Sequence, residues 1–110
     1  MNIINFEDFT KLDIRIGTIV SAEKVSGADR LLRLIVDLNE DEDRQIVSGI
    51  AEYFPDPEVL VGRQVPVLLN LEPRTIRGVE SKGMILYVVG EESLTTLSPA
   101  ETVENGTPIK

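Results

Sequence analysis

Cysteine, histidine and tryptophan are all missing from this 110-residue sequence. Without thiols there is no disulfide and no thiolate nucleophile. Without imidazole, the usual zinc ligand sets and the commonest general acid–base also disappear. Carboxylates, Lys, Tyr, Ser and Thr remain, and no spacing among them forms a catalytic constellation. The expectation is therefore a protein that is not an enzyme, holds no metal and needs no cofactor. Aromatics are scarce as well: Phe6, Phe9, Tyr53, Phe54 and Tyr87 are all there are. An interior must be built from Val, Ile and Leu. No apolar run approaches the roughly 20 residues of a membrane helix, and residues 1–20 carry no signal-peptide pattern. These absences predict a soluble cytoplasmic protein with no membrane partner.

Of what is present, 42% is hydrophobic, enough for a packed core, and the length fits one domain over residues 1–110. The net charge of −8 by itself argues against a nucleic-acid partner. Its distribution reopens the question. Over residues 9–36, Lys11, Arg15, Lys24, Arg30 and Arg33 outnumber Asp13, Glu23 and Asp29. Over residues 60–90, Arg63, Arg74, Arg77 and Lys82 outnumber Glu72 and Glu80. The excess acid lies in the run Glu40-Asp41-Glu42-Asp43, around Asp56 and Glu58, and in the last twenty residues. Counting leaves open whether this makes a basic face and an acidic face or a mixed surface.

The pattern along the chain is mostly that of strands. Asn5 is placed to cap a short helical turn whose Phe6 and Phe9 should anchor the N-terminus on the core. Residues 12–22 alternate, with Leu12, Ile14 and Ile16 on one face and Asp13 and Arg15 on the other. Gly17 suggests a bend or bulge that lets one strand serve both halves of a barrel. Residues 31–38 give a second strand with Leu32, Leu34, Val36 and Leu38 inward and Arg33, Ile35 and Asp37 outward. Residues 44–51 form a third, in which Ser48-Gly49 implies close approach by a strand or a ligand. Asp56 and Pro57 open a short helix that Gly62 ends, with Val59 and Leu60 as a plug. Residues 63–71 and 84–89 are the fourth and fifth strands. Pro66 in the fourth must face away from a ladder or lie at an edge. Residues 94–110 read as turns and short strands that pack on the body or on a second subunit. Five strands with a helix between the third and fourth is the order of an OB-fold barrel, an all-β class.

The stretch on which the chain is organised is 70–84, Asn-Leu-Glu-Pro-Arg-Thr-Ile-Arg-Gly-Val-Glu-Ser-Lys-Gly-Met. Arg74 and Arg77 can each fork onto a phosphate, Lys82 adds a mobile charge, and Asn70 and Ser81 offer small hydrogen-bonding groups. An ordinary solvated connection and a phosphate-binding arm are both compatible with it. The fold adds weight to the second, because an OB barrel places its ligands across strands two and three and in the loops after strands one and four. Arg33 and this loop fall at those places.

Four segments then carry a resemblance: Phe9 to Gly17, Gly27 to Leu32, the Ile46-Val47-Ser48-Gly49-Ile50 run, and Asn70 to Met84. In this order they resemble the tRNA-binding domain family, the module of many bacterial methionyl-tRNA synthetases, of free-standing tRNA-binding proteins and of EMAP-II-like cytokine precursors. The resemblance implies an OB-fold homodimer in which residues from about 94 onward build the dimer contact. It implies binding of folded tRNA by shape, in the service of protein biosynthesis, with an aminoacyl-tRNA synthetase as a possible partner. It assigns RNA contacts to Arg33, Asn70, Arg74, Arg77, Ser81, Lys82 and Met84. A stand-alone protein acting in trans and a detached synthetase domain both remain open. CsaA-like secretion chaperones share the fold and bind unfolded polypeptides. They depart from the Val-Ser-Gly-Ile and Glu-Ser-x-Gly-Met segments that are intact here.

Overall fold

The computed structural model describes residues 1–110. Its strands are β1 (Ile14–Val25), β2 (Ala28–Asp37), β3 (Arg44–Ser48), β4 (Gln64–Leu68), β5 (Arg74–Ile76), β6 (Val79–Ser81), β7 (Met84–Ile85), β8 (Tyr87–Val89), β9 (Leu94–Thr96) and β10 (Pro108–Ile109). The main sheet is antiparallel in the order β3-β2-β1-β4-β7, with β10 added to the start of β1. β1 pairs with β4 through Ile14–Thr18 and with β2 from Thr18 onward, so one long strand serves both halves. The sheet curls until β7 and β6 lie against β3, and the backbone N–H of Lys82 donates to Gln45 O at 2.9 Å across the seam. A small, partly open barrel of the OB type results.

The core follows the alternation of β2. Leu32, Leu34 and Val36 are fully buried, and they meet Ile19, Ile46, Val65 and Val67 from the neighbouring strands. Each such side chain contributes about 1.5–3 kcal/mol by leaving water.

Several details differ from expectation, each for a physical reason. Gly17 does not mark a bulge; the pairing with β2 shifts at Ile19/Ser21 and Lys24/Val25 instead. Gly17 serves close packing, since a Cβ there would sit 2.7 Å from Val36 Cγ1 and 2.9 Å from Asp37 O. The helix between strands three and four is a pair of short 3₁₀ turns, Ala51–Tyr53 and Pro57–Leu60. Asp56 caps the second by accepting from Glu58 N–H at 3.2 Å. Only Leu60 plugs the barrel; Val59, its neighbour, faces out.

The expected fifth strand is broken at Leu86. Leu86 N–H donates to Pro66 O at 3.1 Å, but proline has no N–H to return, so the ladder stops there. The chain then turns away to pair as β8 with β9.

The helix Phe6–Thr10 forms with Asn5 as its cap, whose Oδ1 accepts from Asp8 N–H at 2.8 Å. Phe6 and Phe9 do not reach the core. They pack on each other at 6.2 Å between ring centres and stay exposed, because strand aliphatics already fill the interior. The C-terminal residues fold back on β1 and β4. Gln64 bonds to Val103 O at 2.7 Å, Thr18 Oγ1 donates to Asn105 Oδ1 at 2.7 Å, and Gly106 N–H donates to Ile16 O at 2.7 Å. No helix is long and apolar enough to cross a membrane.

Candidate nucleic-acid interface

The polar stretch between strands four and five is an ordered hairpin. Arg74 stands opposite Ser81, Thr75 opposite Glu80 and Ile76 opposite Val79. The turn is Arg77-Gly78, with φ of 51° and 80°. Two successive positive φ values are what a two-residue hairpin turn of the primed type requires, and Asn or Gly is its usual first residue. An L side chain in the left-handed region costs about 1–2 kcal/mol. Arg77 is thus held at the tip against its backbone preference.

The base of the hairpin is fastened from several sides. Ser81, buried, accepts from Val47 N–H at 3.0 Å and donates to Gly83 O at 3.2 Å. Gln45 Nε2 donates to Glu80 O at 2.8 Å. Arg44 holds Glu40 through both of its forks and bonds to Leu69 O at 2.9 Å and Lys82 O at 3.2 Å. Those bonds leave the tip projecting and the base fixed.

Between the hairpin and the end of β3 lies a groove of about 290 Å³. Its walls include Ile50, Ile76, Met84 and Tyr87, and Arg74 and Glu72 stand on its rim. Tyr87 donates to Ser48 Oγ at 2.9 Å. Burial of the Tyr87 phenol pushes its pKa up to about 12, against a smaller opposing effect of the Ser48 hydrogen bond.

The seven residues singled out in the sequence fall into distinct environments. Arg74 and Arg77 are exposed on the hairpin, with no carboxylate within 4 Å. Met84 is exposed on the groove wall. Arg33 lies on the same outer face, cross-strand from Val47, which also lines the groove. Arg33 is, however, ion-paired with Glu23, its cross-strand neighbour on β1.

Lys82 points to the other side of the hairpin, into a cleft with Glu40, Asp41, Glu42 and Asp43, and lies 3.6 Å from Glu80. Asn70 is engaged with backbone: its Oδ1 accepts from Asp13 N–H at 2.9 Å, and its amide donates to Lys11 O. Ser81 is spent on the bonds just described. The structure thus sets Arg74 and Met84 on the groove, leaves Arg77 exposed in the hairpin turn and Arg33 on the outer face of β2, and uses Asn70 and Ser81 internally. Arg15, on β1, forks onto Asp13 at 2.9 and 3.1 Å. That bond and the Asp13 charge raise its pKa further.

Sequence reasoning had not placed Tyr87, Ile50 or Ile76 at the site. Of the two causes open for Ser48-Gly49, close approach by a strand or by a ligand, the first does not hold at Gly49: nothing lies within 4 Å of where its Cβ would be. The only available signal was the Ser48-Gly49 pair within an apolar run.

A small OB barrel with an arginine-bearing hairpin over an outer-face groove belongs, by architecture, to the single-stranded or structured nucleic-acid binders and their fold relatives. Comparison with known proteins narrows this. Residues 14–108 match the family model described as a putative tRNA binding domain, and the chain belongs to that family. It is 51% identical over 108 residues to a methionine–tRNA ligase of Methanosphaerula palustris, covering 98% of this chain and 16% of the ligase. It is 51% identical over 109 residues to the enzyme of Flavobacterium johnsoniae, covering 98% and 15%. The chain therefore spans only about one-sixth of these relatives.

Among solved structures, a methionyl-tRNA synthetase-related protein from Pyrococcus horikoshii superposes with a TM-score of 0.91 at 33% identity, covering both chains in full. The chaperone CsaA of Bacillus anthracis superposes at 0.88 with 34% identity, covering 99% of this chain and 100% of the other.

Proposed function

We propose that this protein binds folded tRNA across the hairpin and the outer face of β2 and β3, as a homodimer, in the cytoplasm, in support of aminoacylation. Arg74 and Arg77 take backbone phosphates, and Arg33 joins them when a phosphate displaces Glu23. Met84 offers an apolar contact beside them. Lys82 belongs to the acidic cleft and adds at most long-range attraction. Asn70 and Ser81 act by holding the hairpin in place. The observation that carries the reading is the pair of unpartnered guanidiniums on a rigid arm, one of them kept in a left-handed turn that suits Asn or Gly better.

A second copy is supported by the apolar face at the chain ends, where Phe6, Phe9, Leu12, Leu97 and Ile109 are exposed. Sedimentation at twice the 12.2 kDa chain mass is the expected result.

Phosphate binding releases counterions, so affinity must fall with salt. With two free arginines per copy and two copies, raising salt from about 50 to 200 mM weakens tRNA binding about 10²-fold. Arg74→Ala and Arg77→Ala each flatten the log–log slope and weaken all tRNAs alike, because backbone contacts carry no sequence information. A flat salt titration of the unaltered protein refutes the reading.

The full-length likeness to a chaperone favours one other reading, an apolar groove that takes unfolded polypeptide with Met84 as its adaptable wall. Suppression of client aggregation that tRNA does not compete away is the result that would select it. A synthetase-docking role without RNA affinity would show as co-purification with the enzyme alone.

A further inference from the structure

Gly49 has no reason to be glycine in the folded chain by itself. Of the eight glycines, five have positive φ, and Gly17 and Gly90 would place a Cβ 2.7 Å from neighbouring atoms. Gly49 has neither constraint: its backbone is in an ordinary conformation, and an added Cβ would meet nothing within 4 Å. The open space it leaves is in the groove between β3 and the hairpin, which Gly49 lines together with Ile50, Ile76, Met84 and Tyr87. Its volume of about 290 Å³ is at the small end for ligand pockets, suited to one flat ring system. The walls are apolar while the rim carries Arg74, so the groove offers surface for a ring face and a cation for an anion attached to it.

From these features we propose that the groove receives a single unstacked nucleobase of the bound RNA, with the adjoining phosphate on Arg74. Bases in an A-form duplex are not available to such a groove, whereas those in loops and at ends can be splayed out and packed against side chains. Glu72 on the rim offers an acceptor to an amino group on the base edge. Arg77 at the tip then continues along the backbone beyond the inserted nucleotide. This rests on the tRNA reading for its biological ligand, but the groove can be tested without tRNA.

The test has two arms on the full chain. In the first, amide and methyl spectra are recorded during titration with AMP, CMP and ribose 5-phosphate, which share the phosphate and differ in the base. The Gly49 and Ile50 amides and the Met84 methyl should shift with the two nucleotides and stay still with the sugar phosphate. In the second arm, Gly49→Val fills the groove. Its affinity for unfractionated tRNA should drop about tenfold at every salt concentration, the loss of one packed base. Its log–log salt slope should stay that of the unaltered protein, since no phosphate contact is removed. Gly49→Ala and Met84→Ala provide the same comparison if the valine variant loses its dispersed spectrum.

Equal shifts with ribose 5-phosphate overturn the proposal, as does tRNA binding unaltered in the groove variants. An unfolded polypeptide that moves these resonances when nucleotides do not also overturns it and assigns the groove to protein. Nucleotide shifts in a protein that fails to bind tRNA would support the base pocket while refuting tRNA as its ligand.

Discussion

Ser81→Ala separates a residue that builds the interface from one that touches RNA. The hydroxyl is buried and makes two bonds, accepting from Val47 N–H at 3.0 Å and donating to Gly83 O at 3.2 Å. Alanine leaves the Val47 donor with no partner in the groove floor, a loss of about 1–3 kcal/mol. The longer bond to Gly83 adds about 0.5–1 kcal/mol. Together they predict a destabilisation of about 1.5–4 kcal/mol and, for a chain of this size, a fall in Tm of about 6–16 °C.

The hairpin should nevertheless stay seated, because Gln45 holds Glu80 O, Lys82 N–H holds Gln45 O, and Arg44 holds Lys82 O. Affinity for tRNA, measured well below the transition and corrected for folded fraction, should therefore remain within about twofold, since no charged phosphate contact is lost. Urea unfolding followed by far-UV circular dichroism gives the first number, and filter binding at fixed salt gives the second. An unchanged urea midpoint together with a tenfold loss of affinity would show that Ser81 faces the RNA and refute the role given to it here.

Three further perturbations test other parts of the account. Arg77→Asn places a residue suited to φ of 51° at the turn, so stability should rise by about 0.5–1 kcal/mol while tRNA affinity falls; a loss of stability on urea titration contradicts the turn assignment. Glu23→Gln releases Arg33 from its ion pair and should tighten tRNA binding about two- to threefold at low salt, an effect that fades as screening increases; no change would remove Arg33 from the interface. The Tyr87 phenol is pushed up to about 12 from 10.0 because burial disfavours its charged form. Its contribution is complete below pH 10 and is lost as pH rises toward 12, amounting to at most about 2–3 kcal/mol. Tyr87→Phe has no phenol to ionise and should lose less stability than the parent between pH 10 and 12; parallel stability curves for the two proteins would refute this.

The strand pattern was readable because β2 alternates without interruption, and its inward positions became the fully buried centre. The place of the second 3₁₀ turn followed from Asp56-Pro57 and Gly62, residues whose backbone chemistry is local. What failed to show was everything decided across the sheet. Pro66, expected to face away from a ladder or lie at an edge, lies inside β4 and meets the partner strand where that strand breaks at Leu86. The 70–84 segment read as a loop, yet Arg77-Gly78 closes it into a ladder. An arginine at the first turn position hides that signal.

Among the candidate contacts, charge identified Arg33, Arg74 and Arg77 but could not say which had a carboxylate beside it. Glu23 is ten residues from Arg33 along the chain and becomes its partner only through the β1–β2 register. Short polar side chains were the least legible, since Asn70 and Ser81 are as apt for bonding their own backbone as for bonding a ligand.

That pairing of charge bears on how a chain of net charge −8 can hold an RNA at all. Six of its eleven basic side chains sit within 4 Å of a carboxylate, so they scarcely contribute to the outer field. The hairpin carries two of the unpaired ones, Arg77 at its tip and Arg74 on the groove rim at its base. At about 0.1 M salt, interactions between exposed charges fade over about 10 Å. A phosphate at the tip therefore feels Arg77 most strongly, and charges beyond that range little. On the tRNA reading, this gives weak capture over a distance and firm holding on contact, which is what a helper module needs. On the same reading, the second copy proposed above would add affinity as effective concentration rather than as further contacts.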